Sequence, residues 1–168
     1  MELVDISLTE ALGPVLRDLE STSPDLRAVV RDGSWPGIDG QLTGTISGPG
    51  RFGQGVFVMA GEPVPEQIAA VADQVQEWAV EELCSIGQPT NWPQCPEHPH
   101  THPLTPVVRG GEAVWMCPKT ELVVGEIGRL PAPRSRSRAA ARSQRADRSR
   151  AAVRAQQPHQ DPDAGRHG

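Results

Sequence analysis

Trp92-Pro93-Gln94-Cys95-Pro96-Glu97-His98-Pro99-His100-Thr101-His102-Pro103, answered by Trp115-Met116-Cys117-Pro118 beyond a turn, gathers two of the three cysteines and three of the five histidines of the chain. Thiolate and imidazole donors at this density are what a tetrahedral zinc site requires. Cys95-x2-His98 makes a first knuckle, because two intervening residues let both side chains converge on one ion. Cys117 arrives from a strand after a connection of the length usual in small zinc ribbons. A ribbon would set a further ligand near position 120, where Thr120 stands. A histidine of the proline-rich segment, His100 or His102, must then complete the shell, or water must. Four protein ligands describe a structural zinc, and three plus water a catalytic one. The competing reading makes Cys95 and Cys117 small core residues and leaves the histidines exposed on a polyproline-like loop.

Working outward, Pro93, Pro96, Pro99 and Pro103 exclude helix and favour an extended path. Val107-Val108-Arg109 and Ala113–Cys117 flank Gly110-Gly111, the signature of a β-hairpin, and Leu122–Ile127 reads as a last strand. Upstream, Ile68, Val71, Ala72, Val75, Trp78, Ala79 and Leu83 recur at three- and four-residue spacing and predict a helix over 65–83. Pro65 suits its first position, Gly87 and Pro89 end it, and Glu77, Glu81 and Glu82 are expected outward or flanking. Before it come three short strands, Leu26–Arg31, Gln41–Ile46 and Gln54–Met59, separated by glycine-rich turns. A helix over 7–20 opens the chain, with Ser7 and Glu10 as a capping box and a kink or fresh start expected at Gly13-Pro14. The fold class is therefore α+β. A small antiparallel meander packed by an N-terminal and a long amphipathic helix (1–88) is followed by a zinc-ribbon-like β-hairpin module (89–130). A disordered Arg/Ala-rich tail (131–168) completes the chain.

The net charge of -5 over 168 residues hides two opposed parts. Residues 1–128 hold 6 Arg/Lys against 18 Asp/Glu, and residues 129–168 hold 10 Arg against 3 Asp. An acidic body is a poor nucleic-acid surface, so contact with nucleic acid or another polyanion is expected through the tail only. The tail lacks aromatic residues and all but one large aliphatic, Val153, which predicts disorder. Its Arg, Ala, Pro and Gly are what G/C-rich codons specify, and the ordered protein is expected to end near Leu130. There is no long apolar run and no basic, apolar leader, so no membrane contact is expected and the cytoplasm is the expected location. Three cysteines do not make a disulfide framework.

Other motifs carry less. Gly48-Pro49-Gly50-Arg51-Phe52-Gly53 matches G-x-G-x-x-G, but a strand rather than a helix is expected after it, so it reads as a hairpin turn and not a dinucleotide site. Cys84 reads as a buried structural thiol. Trp92 and Trp115 are expected to cover one apolar patch; beside proline they also suit a groove for a protein partner.

The run from Val75-Gln-Glu-Trp-Ala-Val-Glu-Glu-Leu83, through Trp92-Pro-x-Cys95-Pro-x-His98-Pro-x-x-His102-Pro-Leu104, to Gly111-Glu-Ala-Val-Trp115-x-Cys117-Pro118 and Ile127-Gly-x-Leu130 resembles a group of small actinobacterial proteins. The resemblance stops before the tail and implies a high-GC, cytoplasmic setting without a mechanism. It favours His102 over His100, since His102 belongs to the His-Pro-Leu part of the pattern. The expected metal ligands are then Cys95, His98, His102 and Cys117, holding Zn2+. The leading expectation is a non-enzymatic binding or adaptor protein with no catalytic or cofactor-binding residues. The rival is a small metal-dependent hydrolase with Cys95, His98 and Cys117 as ligands, water in the fourth position, and Glu97 or Glu112 as general base.

Overall fold

A computed structural model describes residues 6–33, 37–50 and 53–132. Among the described residues, two α-helices and two three-stranded antiparallel sheets make an α+β fold. The tail expected to be disordered lies, from residue 133, outside the described residues, as do Arg51 and Phe52 of the glycine motif.

Helix α1, Leu8–Thr22, begins on the expected capping box: Ser7 Oγ accepts from the Glu10 N–H at 3.3 Å, and the Glu10 carboxylate accepts from the Ser7 N–H at 2.8 Å. The expected break at Gly13-Pro14 does not occur, and the helix runs through Pro14. The ring forms a packing surface there: a Cβ added at Gly128 would stand 2.9 Å from the Pro14 Cβ. Leu8, Ala11, Leu12, Val15 and Leu19 are buried, and so is one acid on the same stripe, Asp18.

Pro24–Leu26 forms a 3-10 turn, and Arg27 takes a left-handed conformation with φ 42°. The first strand therefore starts three residues later than expected. The meander comprises β1 (Val29–Asp32), β2 (Gln41–Ser47) and β3 (Gly53–Met59), paired in that order. Helix α2, Val64–Ser85, lies against β3 and buries Val71, Ala72, Val75, Trp78, Ala79 and Leu83. Two polar residues, Gln67 and Glu82, are buried with them. Glu82 was expected outward or flanking; instead its carboxylate accepts the Gly50 N–H at 2.7 Å. The glycine motif is thus a place where backbone closes on a helix. A Cβ at Gly48 would lie 2.9 Å from Trp78 Cζ2 and 3.0 Å from the Leu26 carbonyl oxygen. Strand β3, not a helix, follows it in the chain.

The outer edge of β3 is closed by a side chain. Gln74 accepts from the Phe57 N–H at 2.9 Å and donates to the Phe57 carbonyl at 2.9 Å, repeating with one amide the pairing a fourth strand would make.

The second sheet contains β4 (Thr105–Arg109), β5 (Glu112–Met116) and β6 (Val123–Glu126). Gly110 and Gly111 turn the expected hairpin with φ 63° and 82°, a conformation open to glycine at little steric cost. One apolar core runs from Leu8 and Leu12 through Val75 and Trp78 to Trp92, Leu104, Trp115 and Ile127. No helix among the described residues is long and apolar enough to cross a membrane.

Candidate metal centre

The loop between α2 and β4 brings three donors and the end of β5 a fourth. The expected extended path is instead folded back on itself. Gln94 bridges Pro103, the Leu104 N–H donates to the Pro93 carbonyl at 2.8 Å, and the Thr101 N–H donates to His98 O at 3.1 Å. Asn91 and Gln94 side-chain amides both donate to the Pro99 carbonyl, the latter at 2.9 Å. Proline imposes this shape by denying the backbone the N–H groups that helix or sheet would use.

Cys95, His98, His102 and Cys117 converge, with their ligand atoms all within 4.8 Å of one another. Both sulfurs are buried and both imidazoles half-buried, while His100 is exposed and outside the group. His98 Nδ1 lies 3.6 Å from Cys95 Sγ and 3.6 Å from Cys117 Sγ, and His102 Nε2 lies 3.7 Å from Cys117 Sγ. A ring nitrogen has a single in-plane lone pair or N–H, so it cannot be directed at two sulfurs at once. Metal–sulfur bonds of about 2.3 Å and metal–nitrogen bonds of about 2.0–2.1 Å give a regular tetrahedron sulfur–nitrogen edges of about 3.6 Å. The three measured separations match that edge, so the group could hold one metal ion at its centre.

The surroundings favour ligation. His102 Nδ1 lies 2.8 Å from the Pro103 carbonyl, which can only accept. The proton is therefore on Nδ1 and the Nε2 lone pair is left for the ion, the outer contact common to metal-bound histidines. At Cys117, burial works against the thiolate, but the Thr120 hydroxyl, the Thr120 and Lys119 N–H groups and the Cys95 thiol outweigh it. Together they bring the Cys117 thiol from 9.0 to about 6. The turn behind these donors is closed by the Glu121 N–H to Cys117 O at 2.8 Å and the Cys117 N–H to Leu122 O at 2.9 Å. Thr120, which stands where a ribbon would carry a ligand, serves the sulfur instead.

Both tryptophans are inside the fold and pin the site to α1. Trp92 Nε1–H donates to Thr22 Oγ1 at 2.8 Å and Trp115 Nε1–H to Asp18 Oδ2 at 2.7 Å, and the two rings meet edge to face at 5.7 Å. Asp18 also accepts the N–H groups of Gly128 at 2.6 Å and Leu130 at 2.8 Å. From α2, the Gln76 amide donates to the carbonyls of Trp92 at 2.9 Å and Leu104 at 2.6 Å. Sequence reasoning missed Asp18, Gln76 and Thr120. A signal existed for Asp18: an acid three residues after Val15, on the buried stripe of a helix. Cys84, expected buried, is exposed, and Glu97 and Glu112 are exposed and outside the donor group.

No protein-family model, curated protein or solved structure matches this chain.

Proposed function

We propose that this is a non-enzymatic binding or adaptor protein whose second sheet is stapled by one structural Zn2+ held by Cys95, His98, His102 and Cys117. The observation that carries the reading is the placement of His98 Nδ1, 3.6 Å from both sulfurs, at tetrahedral edge length. Two thiolates and two neutral imidazoles cancel the charge of a divalent ion, which suits a site whose sulfurs are buried. A two-iron cluster with cysteines on one iron and histidines on the other would drive the two donor types apart, whereas all four lie within 4.8 Å. A tetrahedral S2N2 set then favours zinc. The hydrolase alternative needs an open fourth position, and a fourth protein donor stands there. A cytoplasmic setting and kinship with the actinobacterial group belong to the same proposal. The arginines of residues 129–168 provide the charge for a polyanionic partner.

Metal analysis of the untagged chain tests the reading. One zinc per chain is expected, with Cys95→Ser losing both the metal and thermal stability, since a structural zinc contributes on the order of 10 kcal/mol to folding a small module. A wild-type chain that neither carries nor takes up zinc would overturn it.

A further inference from the structure

The residue that ties the metal loop to the rest of the molecule is not a ligand. Both stems of the loop, Trp92 before the first donor and Leu104 after the third, give their carbonyl oxygens to the single NH2 of Gln76, at 2.9 and 2.6 Å. The stems also hold each other through the Leu104 N–H and the Pro93 carbonyl at 2.8 Å. One amide has two hydrogens, so two carbonyls use up its donor capacity and hold the two stems to one point on α2. Between the stems, Cys95, His98 and His102 span eight residues whose prolines supply no N–H for internal bonding. The Asn91 and Gln94 amides and the Thr101 N–H bond within the loop. Gln76 alone among these side chains fixes it to α2, so without the clamp more of its placement would fall on the metal.

We propose that Gln76 is a positioning residue of the metal centre, setting zinc affinity by pre-ordering the three-ligand loop from α2. The proposal rests on the zinc reading above. Linkage makes the coupling reciprocal: if the clamp tightens zinc binding, zinc must tighten the clamp by the same factor.

The test uses the full chain, with zinc and Co2+ as probes. Gln76→Met keeps the side-chain length and removes both donors. Chelator competition is expected to show zinc affinity reduced by about 5- to 150-fold, the usual range of coupling between two distinct sites. The Co2+ d–d bands should shift, and the rise in Tm on zinc loading should shrink. A residue with a merely structural role would lower the Tm of the zinc-free and zinc-loaded forms equally and leave affinity and spectrum unchanged; that result overturns the proposal. If Gln76→Met does not fold, the wild-type chain carries the test. Solvent exchange of the Gln76 side-chain N–H protons should slow on zinc loading, and exchange indifferent to zinc overturns it. Failure of the wild type to bind zinc would instead remove the zinc reading itself.

Discussion

Cys117 is held as a thiolate by its neighbours. The opposition of burial is overcome by the Thr120 hydroxyl, the Thr120 and Lys119 N–H groups and the Cys95 thiol, leaving the zinc-free thiol at about 6 against an ordinary 9.0. A group whose folded pKa is depressed stabilises the fold above its unfolded pKa, and that stabilisation is lost as pH falls through the folded value. The zinc-free protein should therefore gain stability as pH rises from about 6 to 9.0. Ultraviolet thiolate absorbance should report a thiol titrating near the lower end of that window, and Thr120→Val should move it up. Of this arrangement, Cys95 and His98 are legible in the sequence because their spacing within one loop is a local property, and Cys117 because the Gly110-Gly111 hairpin carries it back after β5. Spacing leaves the choice between His100 and His102 open, and only the resemblance favours His102. The choice depends on the turn at His98–Thr101, which leaves His100 exposed, and on the Pro103 carbonyl that selects the His102 tautomer.

At the level of elements, apolar spacing identifies both helices, since burial of one face follows directly from period, while the strands are read from the glycine-rich turns between them. Spacing is blind to polar residues on the buried stripe. Its charge suggests an outward or flanking place for Glu82, yet Glu82 is buried, receives the Gly50 N–H and supports the β2–β3 turn. The glycines of that turn serve close approach. Gly48→Ala would bring a methyl to 2.9 Å from Trp78 Cζ2 and 3.0 Å from the Leu26 carbonyl. Overpacking of this kind should destabilise by about 1–3 kcal/mol, measured by urea unfolding. An unchanged midpoint would mean that the turn yields at little cost. Gln74, whose amide stands in for a strand beside Phe57, is likewise invisible to spacing: nothing local distinguishes it from a solvated helix glutamine.

Across the molecule, the second sheet is joined to the helices by the shared apolar core and by a few buried polar contacts, of which Asp18 is the most heavily used. It receives Trp115, Gly128 and Leu130 at 2.6–2.8 Å from a position 1% exposed. Asp18→Asn keeps the shape but turns an amide N–H toward donors. Hydrogen bonds to a charged group contribute about 1.5–3 kcal/mol each, and the substitution should cost about 2–4 kcal/mol in all. Chemical unfolding followed by tryptophan fluorescence checks this, with Trp115 expected to report the loss of its partner. Stability equal to wild type would show that the joint rests on apolar packing alone. The same carboxylate sets an order of events during synthesis. Asp18 leaves the ribosome early, but its partners lie 97, 110 and 112 residues further along the chain. Until they emerge, the first helix must keep that carboxylate in water, and the N-terminal half cannot close over it with its three donors in place. Completion of the fold is thus timed by the last residues of the domain to be translated.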